Sequence, residues 1–238
     1  MLFIDKFKEP PELTNLKESA ISNKLTPKEA YNTLRNPLKR NVIDSLMREQ
    51  GAVCAYCACR LPDNRVENDN IARVTIEHWY PVGENNIPGE SHGLDYNNMM
   101  VVCAGNQGPR KTRRTGELTC DSKRGKRLLK VNPLNTETLK HVWYTSDGVI
   151  YSNDKEIQDD LDVKLNLNCI SAGIYLPLQR KMVLNEVQSK VLSGDMNDLE
   201  WCNKILNAIK KKPYIPYSDA AVWWLEKHIK LLNENKSS

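Results

Sequence analysis

The chain of 238 residues is 40% hydrophobic, which is enough to bury a core, and it carries a net charge of +4. It lacks the run of about 18 apolar residues that a membrane-spanning helix needs, and the acidic start MLFIDKFKEPPEL is unlike a signal peptide. We therefore expect a cytoplasmic protein without membrane contacts. Its seven cysteines, an odd number, argue against a complete disulfide framework and favour metal binding.

The positive charge is concentrated in one stretch. Residues 110–130 hold nine Lys or Arg and two acids, a net +7, which leaves about −3 for the rest of the chain. A basic patch on an otherwise near-neutral protein indicates contact with a polyanion such as nucleic acid. A solvated loop is the alternative interpretation of the same charges.

Residues 1–50 predict an N-terminal arm followed by helices. A helix starts at Thr26-Pro27, with Thr as cap and Pro in the first turn. Pro37 divides the pattern, and a second helix is expected over about 37–50, ending at Gly51.

Residues 51–130 differ from their surroundings in composition. They hold five of the seven cysteines, and the strand-like stretches RVTIEHW and NMMVVC are short. Such a loop-rich segment has too few apolar residues for a core of its own, and small modules of this kind need a metal to hold them.

Residues 131–238 predict a β-hairpin and a helical region. The hairpin spans 141–152 and turns at Asp147-Gly148. Amphipathic periodicity then predicts helices over 155–170, 174–192, 196–211 and 218–234. Ser218 is expected to cap the last of them.

The cysteines indicate a zinc site. CAYC at 54–57 is a knuckle that can direct two thiolates at one Zn²⁺, and Cys103 and Cys120 complete a Cys₄ set. Cys59 can compete as a ligand, and separate buried thiols are the alternative to a metal site. Cys169 and Cys202 are expected to be core residues.

The order of further residues resembles a known family. IEHWYP places Glu77 beside His78 between the two halves of the cysteine set, Asn98 precedes Cys103, and Asp121 follows Cys120. Over residues 51–127 this pattern resembles the zinc-stapled HNH endonucleases. The resemblance implies an α+β fold in which a central ββα-metal HNH module, stapled by a Cys₄ zinc site, is flanked by N-terminal and C-terminal helices.

The resemblance also implies a role for each site residue. His78 would be the general base, because an imidazole accepts a proton near neutral pH. Glu77 and Asp121 would bind a catalytic Mg²⁺ or Mn²⁺, since carboxylates suit hard cations. Many family members carry Asp at the position of Glu77, and Asn or His at the position of Asp121. Asn98 would orient His78 without binding metal. Phosphate contacts are expected from Arg113, Arg114, Lys123 and Arg124, and His92 is expected at the surface.

A narrower resemblance concerns the flanks. VKLNLNC and IPYSDAAVWWLEKHIK resemble the C-terminal part of HNH nucleases from Septu-type and retron-associated antiphage systems. This implies a toxic nuclease, acting most readily on DNA, that works with an ABC/SMC-like ATPase and with a retron reverse transcriptase–msDNA complex. Within 131–238, the expected docking residues are Trp201, Tyr214, Tyr217 and Trp223.

Two alternatives remain open from the sequence. An HNH site attacks a phosphodiester whether or not a 2′-hydroxyl is present, so RNA such as tRNA is a second substrate class. A zinc module with a basic loop can also bind nucleic acid without cleaving it.

Overall fold

Prolines start the N-terminal helices of the computed structural model, which describes residues 1–62, 74–83, 87–106, 117–171 and 174–236. These helices are α1 (Pro11–Ser22), α2 (Pro27–Thr33) and α3 (Leu38–Glu49). The predicted start at Thr26 is confirmed as a capping box. The Thr26 hydroxyl accepts a hydrogen bond from the Glu29 amide, and the Glu29 carboxylate accepts one from the Thr26 amide.

Two short strands and a helix lie at the centre of the chain. Strand β1 (Thr75–His78) pairs antiparallel with β2 (Met99–Val102), and His78 lies opposite Met99. A 3-10 turn (Tyr96–Asn98) leads into β2, and helix α4 (Cys120–Arg124) follows. Every residue of β2 is buried, so this small sheet lies inside the protein.

The remaining elements form two more hairpins and the C-terminal helices. The predicted turn is confirmed, because Gly148 adopts a φ of +77° between two paired strands. The elements are α5 (Thr136–Leu139), β3 (Trp143–Tyr144), β4 (Ile150–Tyr151), α6 (Lys155–Asp159), β5 (Ile170–Ser171), β6 (Ile174–Tyr175), α7 (Leu176–Leu192), α8 (Leu199–Ile209) and α9 (Asp219–Lys236).

Two details differ from the sequence expectation. The helix predicted over 155–170 ends early, because α6 passes into a π-helical turn (Asp160–Lys164). Beyond this turn, the Asn168 side chain accepts a hydrogen bond from the Ile150 amide and donates one to the Ile150 carbonyl. The Ser218 hydroxyl is buried and finds no partner among the described residues. Asp219, the first residue of α9, accepts hydrogen bonds from the Tyr144 hydroxyl and the Met1 ammonium at 2.8 Å each.

Two apolar cores lie within the described residues. The larger one runs through the N-terminal helices, the β1–β2 sheet and the β3–β4 hairpin, and includes Leu46, Val101 and Ile150. The smaller one lies among α7, α8 and α9 and includes Leu184 and Leu225. The cysteine-rich segment therefore shares its core with the flanking helices. Across the described ranges, every helix is too short or too polar to cross a bilayer.

Candidate metal centre and active site

Four cysteine sulfurs converge between the knuckle, β2 and α4. Cys54 and Cys57 lie in the knuckle, Cys103 follows β2, and Cys120 is the first residue of α4; their sulfurs all lie within 4.8 Å of one another. Sulfur–sulfur distances are 3.8 Å for Cys57–Cys103 and Cys103–Cys120, and 4.0 Å for Cys54–Cys120. A tetrahedral zinc site with Zn–S bonds of about 2.3 Å requires edges of roughly 3.8 Å. These four residues, called here the thiol centre, can therefore hold a zinc ion.

The pKa shifts within the thiol centre run in both directions. Burial raises the pKa of the Cys54 thiol, but hydrogen bonds with Cys103 and Cys120 outweigh it and bring that pKa well below its usual value. A hydrogen bond with Cys120 likewise lowers the pKa of Cys103 to about 6. A hydrogen bond with Cys103 raises the pKa values of Cys57 and Cys120 well above their usual value. Binding of zinc would therefore displace protons from Cys57 and Cys120.

The other three cysteines are not part of this set of four. Cys59 lies beside the thiol centre, and its carbonyl accepts a hydrogen bond from the Cys54 amide at 2.9 Å, which closes the knuckle. Its sulfur is not among the four that converge. Cys169 and Cys202 are buried, one in each apolar core, as expected.

Glu77 and Asp121 form a pair of neighbouring carboxylates. Glu77, near the end of β1, is 7% exposed and accepts a hydrogen bond from the Tyr56 hydroxyl at 2.9 Å. Burial and the nearby charge of Asp121 raise the pKa of Glu77 to about 7, although Arg124 opposes the shift. Two carboxylates this close favour a shared proton or a cation between them. The pair supplies oxygen ligands of the kind a hard divalent cation requires.

His78 is held as a neutral imidazole. Its Nε2 lies 3.1 Å from the Gly93 carbonyl, which can only accept, so Nε2 carries the hydrogen. Burial lowers the pKa of His78 to about 4, which leaves the lone pair on Nδ1 at neutral pH. Glu77, His78 and Asp121 are called here the acid–histidine centre.

Asn98 ties together the loop on which His78 depends. Its side-chain oxygen accepts from the Tyr80 amide at 2.8 Å, and its amide donates to the carbonyls of Tyr80 and His92 at 3.0 and 3.2 Å. The His92 carbonyl adjoins the Gly93 carbonyl that fixes His78. The orienting role of Asn98 stays a prediction, and these bonds are the route by which it would act on His78.

Arg124 is placed differently from the sequence expectation. Its side chain is 1% exposed, and its guanidinium donates to Glu77, the Tyr56 hydroxyl and the carbonyls of His78 and Trp79. A buried guanidinium that donates to these internal acceptors cannot also contact phosphate, so the predicted substrate contact of Arg124 is wrong. Arg124 instead holds the end of β1 and the Glu77 carboxylate.

The remaining predicted phosphate contacts have different positions. Lys123 is exposed on α4, two residues after Asp121. Arg113 and Arg114 lie outside the residues that the structure describes.

Two side chains near His78 were not predicted as site residues. His92 was expected at the surface, but its side chain is 16% exposed, its Nδ1 lies 3.1 Å from Glu90, and its charge contributes to the lowered pKa of His78. Tyr31 of α2 packs edge-on against His78 with ring centroids 4.8 Å apart. Tyr31 gives no signal in the sequence, because only the tertiary fold brings α2 to the strand end.

No protein-family model matches this chain, and no curated protein is significantly similar to it. The functional argument therefore depends on the geometry. A neutral imidazole can remove a proton from water, and a pair of neighbouring carboxylates can hold a cation.

Proposed function

We propose that this protein is a metal-dependent HNH endonuclease that cleaves phosphodiester bonds, with DNA as its main substrate class. The observation that carries the proposal is the acid–histidine centre, built by two antiparallel strands and a short helix beside four convergent thiols. We further propose that it acts as the toxic effector of an antiphage system.

The chemistry assigns a separate task to each residue. The lone pair on Nδ1 of His78 accepts a proton from the attacking water, which therefore approaches the phosphorus as hydroxide. A Mg²⁺ or Mn²⁺ ion bound by Glu77 and Asp121 would supply the charge that stabilises the phosphorane and the departing oxygen. Arg124 keeps Glu77 in place, and Asn98 supports the loop that fixes His78. A zinc module that only binds nucleic acid has no use for a buried base and a pair of neighbouring carboxylates.

Substitution of the base tests the proposal. His78→Ala should fold, retain zinc and lose about 10²- to 10⁴-fold in cleavage rate. The substrates are plasmid, single-stranded DNA and total RNA, each with Mg²⁺, Mn²⁺ or a chelator of these ions. The exposed His141 gives the control, since His141→Ala should cleave like the wild type. Full activity in His78→Ala would contradict the HNH assignment. Cleavage of RNA alone would show that the substrate class is RNA and not DNA.

The C-terminal helices are proposed to dock on an ABC/SMC-like ATPase. Trp201, Tyr217 and Trp223 pack against the protein's own cores, and Tyr214 packs on Gly51. More exposed apolar side chains are available on α7, where Leu178 is 50% and Met182 is 60% exposed, one turn apart.

The docking proposal needs surface substitutions because a deletion would damage the zinc knuckle. The amides of Tyr214 and Tyr217 donate to the carbonyls of Gly51 and Ala58, so loss of residues 213–238 would expose the knuckle. Leu178→Asp with Met182→Asp should abolish co-purification with the co-expressed ATPase and reverse transcriptase–msDNA complex, with zinc retained. The control is Leu231→Asp on α9. Unchanged co-purification of the double variant would refute docking at α7.

A further inference from the structure

Helix α2 lies outside the segment that resembles the HNH family, yet it packs on the acid–histidine centre. The Pro27 carbonyl lies so close to Gly93 that a Cβ atom on Gly93 would be 2.0 Å from that oxygen. Just before α2, the Leu25 carbonyl accepts a hydrogen bond from the Gly89 amide at 2.9 Å. These two contacts fix the start of α2 against the loop whose Gly93 carbonyl holds His78.

Tyr31 lies one turn beyond Pro27, on the same face of α2. Its ring meets the imidazole of His78 at an interplanar angle of 89°, with centroids 4.8 Å apart. This edge-to-face geometry is a favourable one for aromatic pairs. The hydrogen bond to Gly93 fixes one atom of the imidazole, and the contact with Tyr31 restrains the tilt of the ring about that atom.

We propose that Tyr31 is a positioning residue for His78, and that α2 is therefore part of the active site. The inference rests on the proposed nuclease function. The ring carries the role, because the ring makes the contact, and the hydroxyl is dispensable for it. A displacement of a catalytic group by about 1 Å can cost on the order of 10²-fold in rate.

Three variants separate the ring from the hydroxyl. Tyr31→Leu should lower kcat by roughly 10- to 100-fold with KM nearly unchanged, because substrate binding does not use the ring. Tyr31→Phe should restore most of kcat, since it keeps the aromatic edge. Tyr31→Met gives a second ring-free variant should the Leu protein fold poorly.

The matched control is Tyr151→Leu. Tyr151 is also a half-buried tyrosine in an aromatic pair, with its ring centroid 5.7 Å from that of Trp143 in the β3–β4 hairpin. The Tyr151→Leu variant should match the wild type in kcat. That result would show that loss of a paired tyrosine ring does not by itself impair cleavage.

Proton NMR of the full-length protein gives a readout that does not require cleavage. The chain has four histidines, so the Hε1 resonance of His78 can be assigned by its absence in His78→Ala. Its ring-current shift should be kept in Tyr31→Phe and lost in the two ring-free variants.

The two proposals fail in different ways. Wild-type kcat in the ring-free variants, or an unchanged His78 resonance, would overturn the positioning role while cleavage still depends on His78. A wild type that cleaves no nucleic acid would overturn the proposed function itself.

Discussion

The thiol centre and the acid–histidine centre share secondary structure but differ in chemistry. Cys120 and Asp121 are consecutive residues of α4, and β1 and β2 each lead into one of the two centres. The first offers four sulfurs, a closed set of the kind that holds structural zinc. The second combines oxygen and nitrogen groups with a buried guanidinium, and the pKa values of Glu77 and His78 are strongly shifted.

This difference teaches which centre depends on the other. The thiol centre joins the knuckle to β2 and α4, so it sets the position of Asp121. The cation proposed for the acid–histidine centre would join only β1 and α4, and its loss would leave the zinc ligands in place. Loss of the thiol centre should therefore disrupt the acid–histidine centre, whereas loss of the acid–histidine centre should leave the thiol centre intact.

The largest effect is expected from the thiol centre. Cys57→Ser should remove bound zinc and unfold the knuckle, because structural zinc contributes on the order of 10 kcal/mol of apparent binding free energy in small modules. Zinc content and soluble yield are the measurements. The control is Cys202→Ser, which changes a buried thiol of the smaller core and should keep zinc. Full zinc content in Cys57→Ser would contradict the assignment of Cys57 as a zinc ligand.

A smaller loss is expected from Arg124→Gln, which tests the buried support of the acid–histidine centre. Removing one partner of a buried ion pair costs about 3–5 kcal/mol, and Arg124 also holds the His78 and Trp79 carbonyls. The free energy of unfolding should fall by about 3 kcal/mol with zinc retained. The exposed Lys126 provides the control, and a loss no greater than that of Lys126→Gln would show that Arg124 is not structural.

The pH dependence of stability should expose two opposing titrations in the acid–histidine centre. Glu77 has a pKa of about 7 when folded against 4.5 ordinarily, so its contribution to stability is complete below about pH 4.5 and lost as the pH rises towards 7. His78 has a pKa of about 4 against 6.5, so stability rises with pH across that interval. Without added divalent cation, the two slopes nearly cancel.

Single substitutions should reveal each slope. With His78→Ala, the free energy of unfolding should fall by about 3 kcal/mol between pH 4.5 and pH 7. With Glu77→Gln, it should rise by a similar amount between pH 4 and pH 6.5. Denaturant titrations across this range measure both, and identical pH profiles for the two variants would rule out the opposing shifts.

The smallest effect is expected at the exposed edge of α4. Lys123→Gln should weaken nucleic-acid binding for many sequences alike and reduce the salt dependence by about one unit of slope. The paired, exposed Lys140 serves as the control. A salt slope equal to that of the wild type would show that Lys123 does not contact phosphate.

Local signals predicted the helix start at Thr26, the turn at Gly148 and the convergence of four cysteines, because caps, turns and ligand spacing act over a few residues. The burial of Arg124 could not be predicted, since the same basic run places Lys123 in solvent and Arg124 inside. The contact of Tyr31 with His78 likewise depends on the docking of α2, which no local pattern encodes. The early end of the helix predicted over 155–170 accompanies two tertiary hydrogen bonds between the Asn168 side chain and the Ile150 backbone.

The central claim is that one chain holds two metals of different character. Elemental analysis for zinc, with electron paramagnetic resonance of bound Mn²⁺, tests it in the wild type, in Asp121→Ala and in the exposed control Asp147→Ala. We predict about one zinc per chain in all three proteins, and Mn²⁺ binding that is lost in Asp121→Ala alone. Unchanged Mn²⁺ binding in Asp121→Ala, or loss of zinc together with Mn²⁺, would contradict the account.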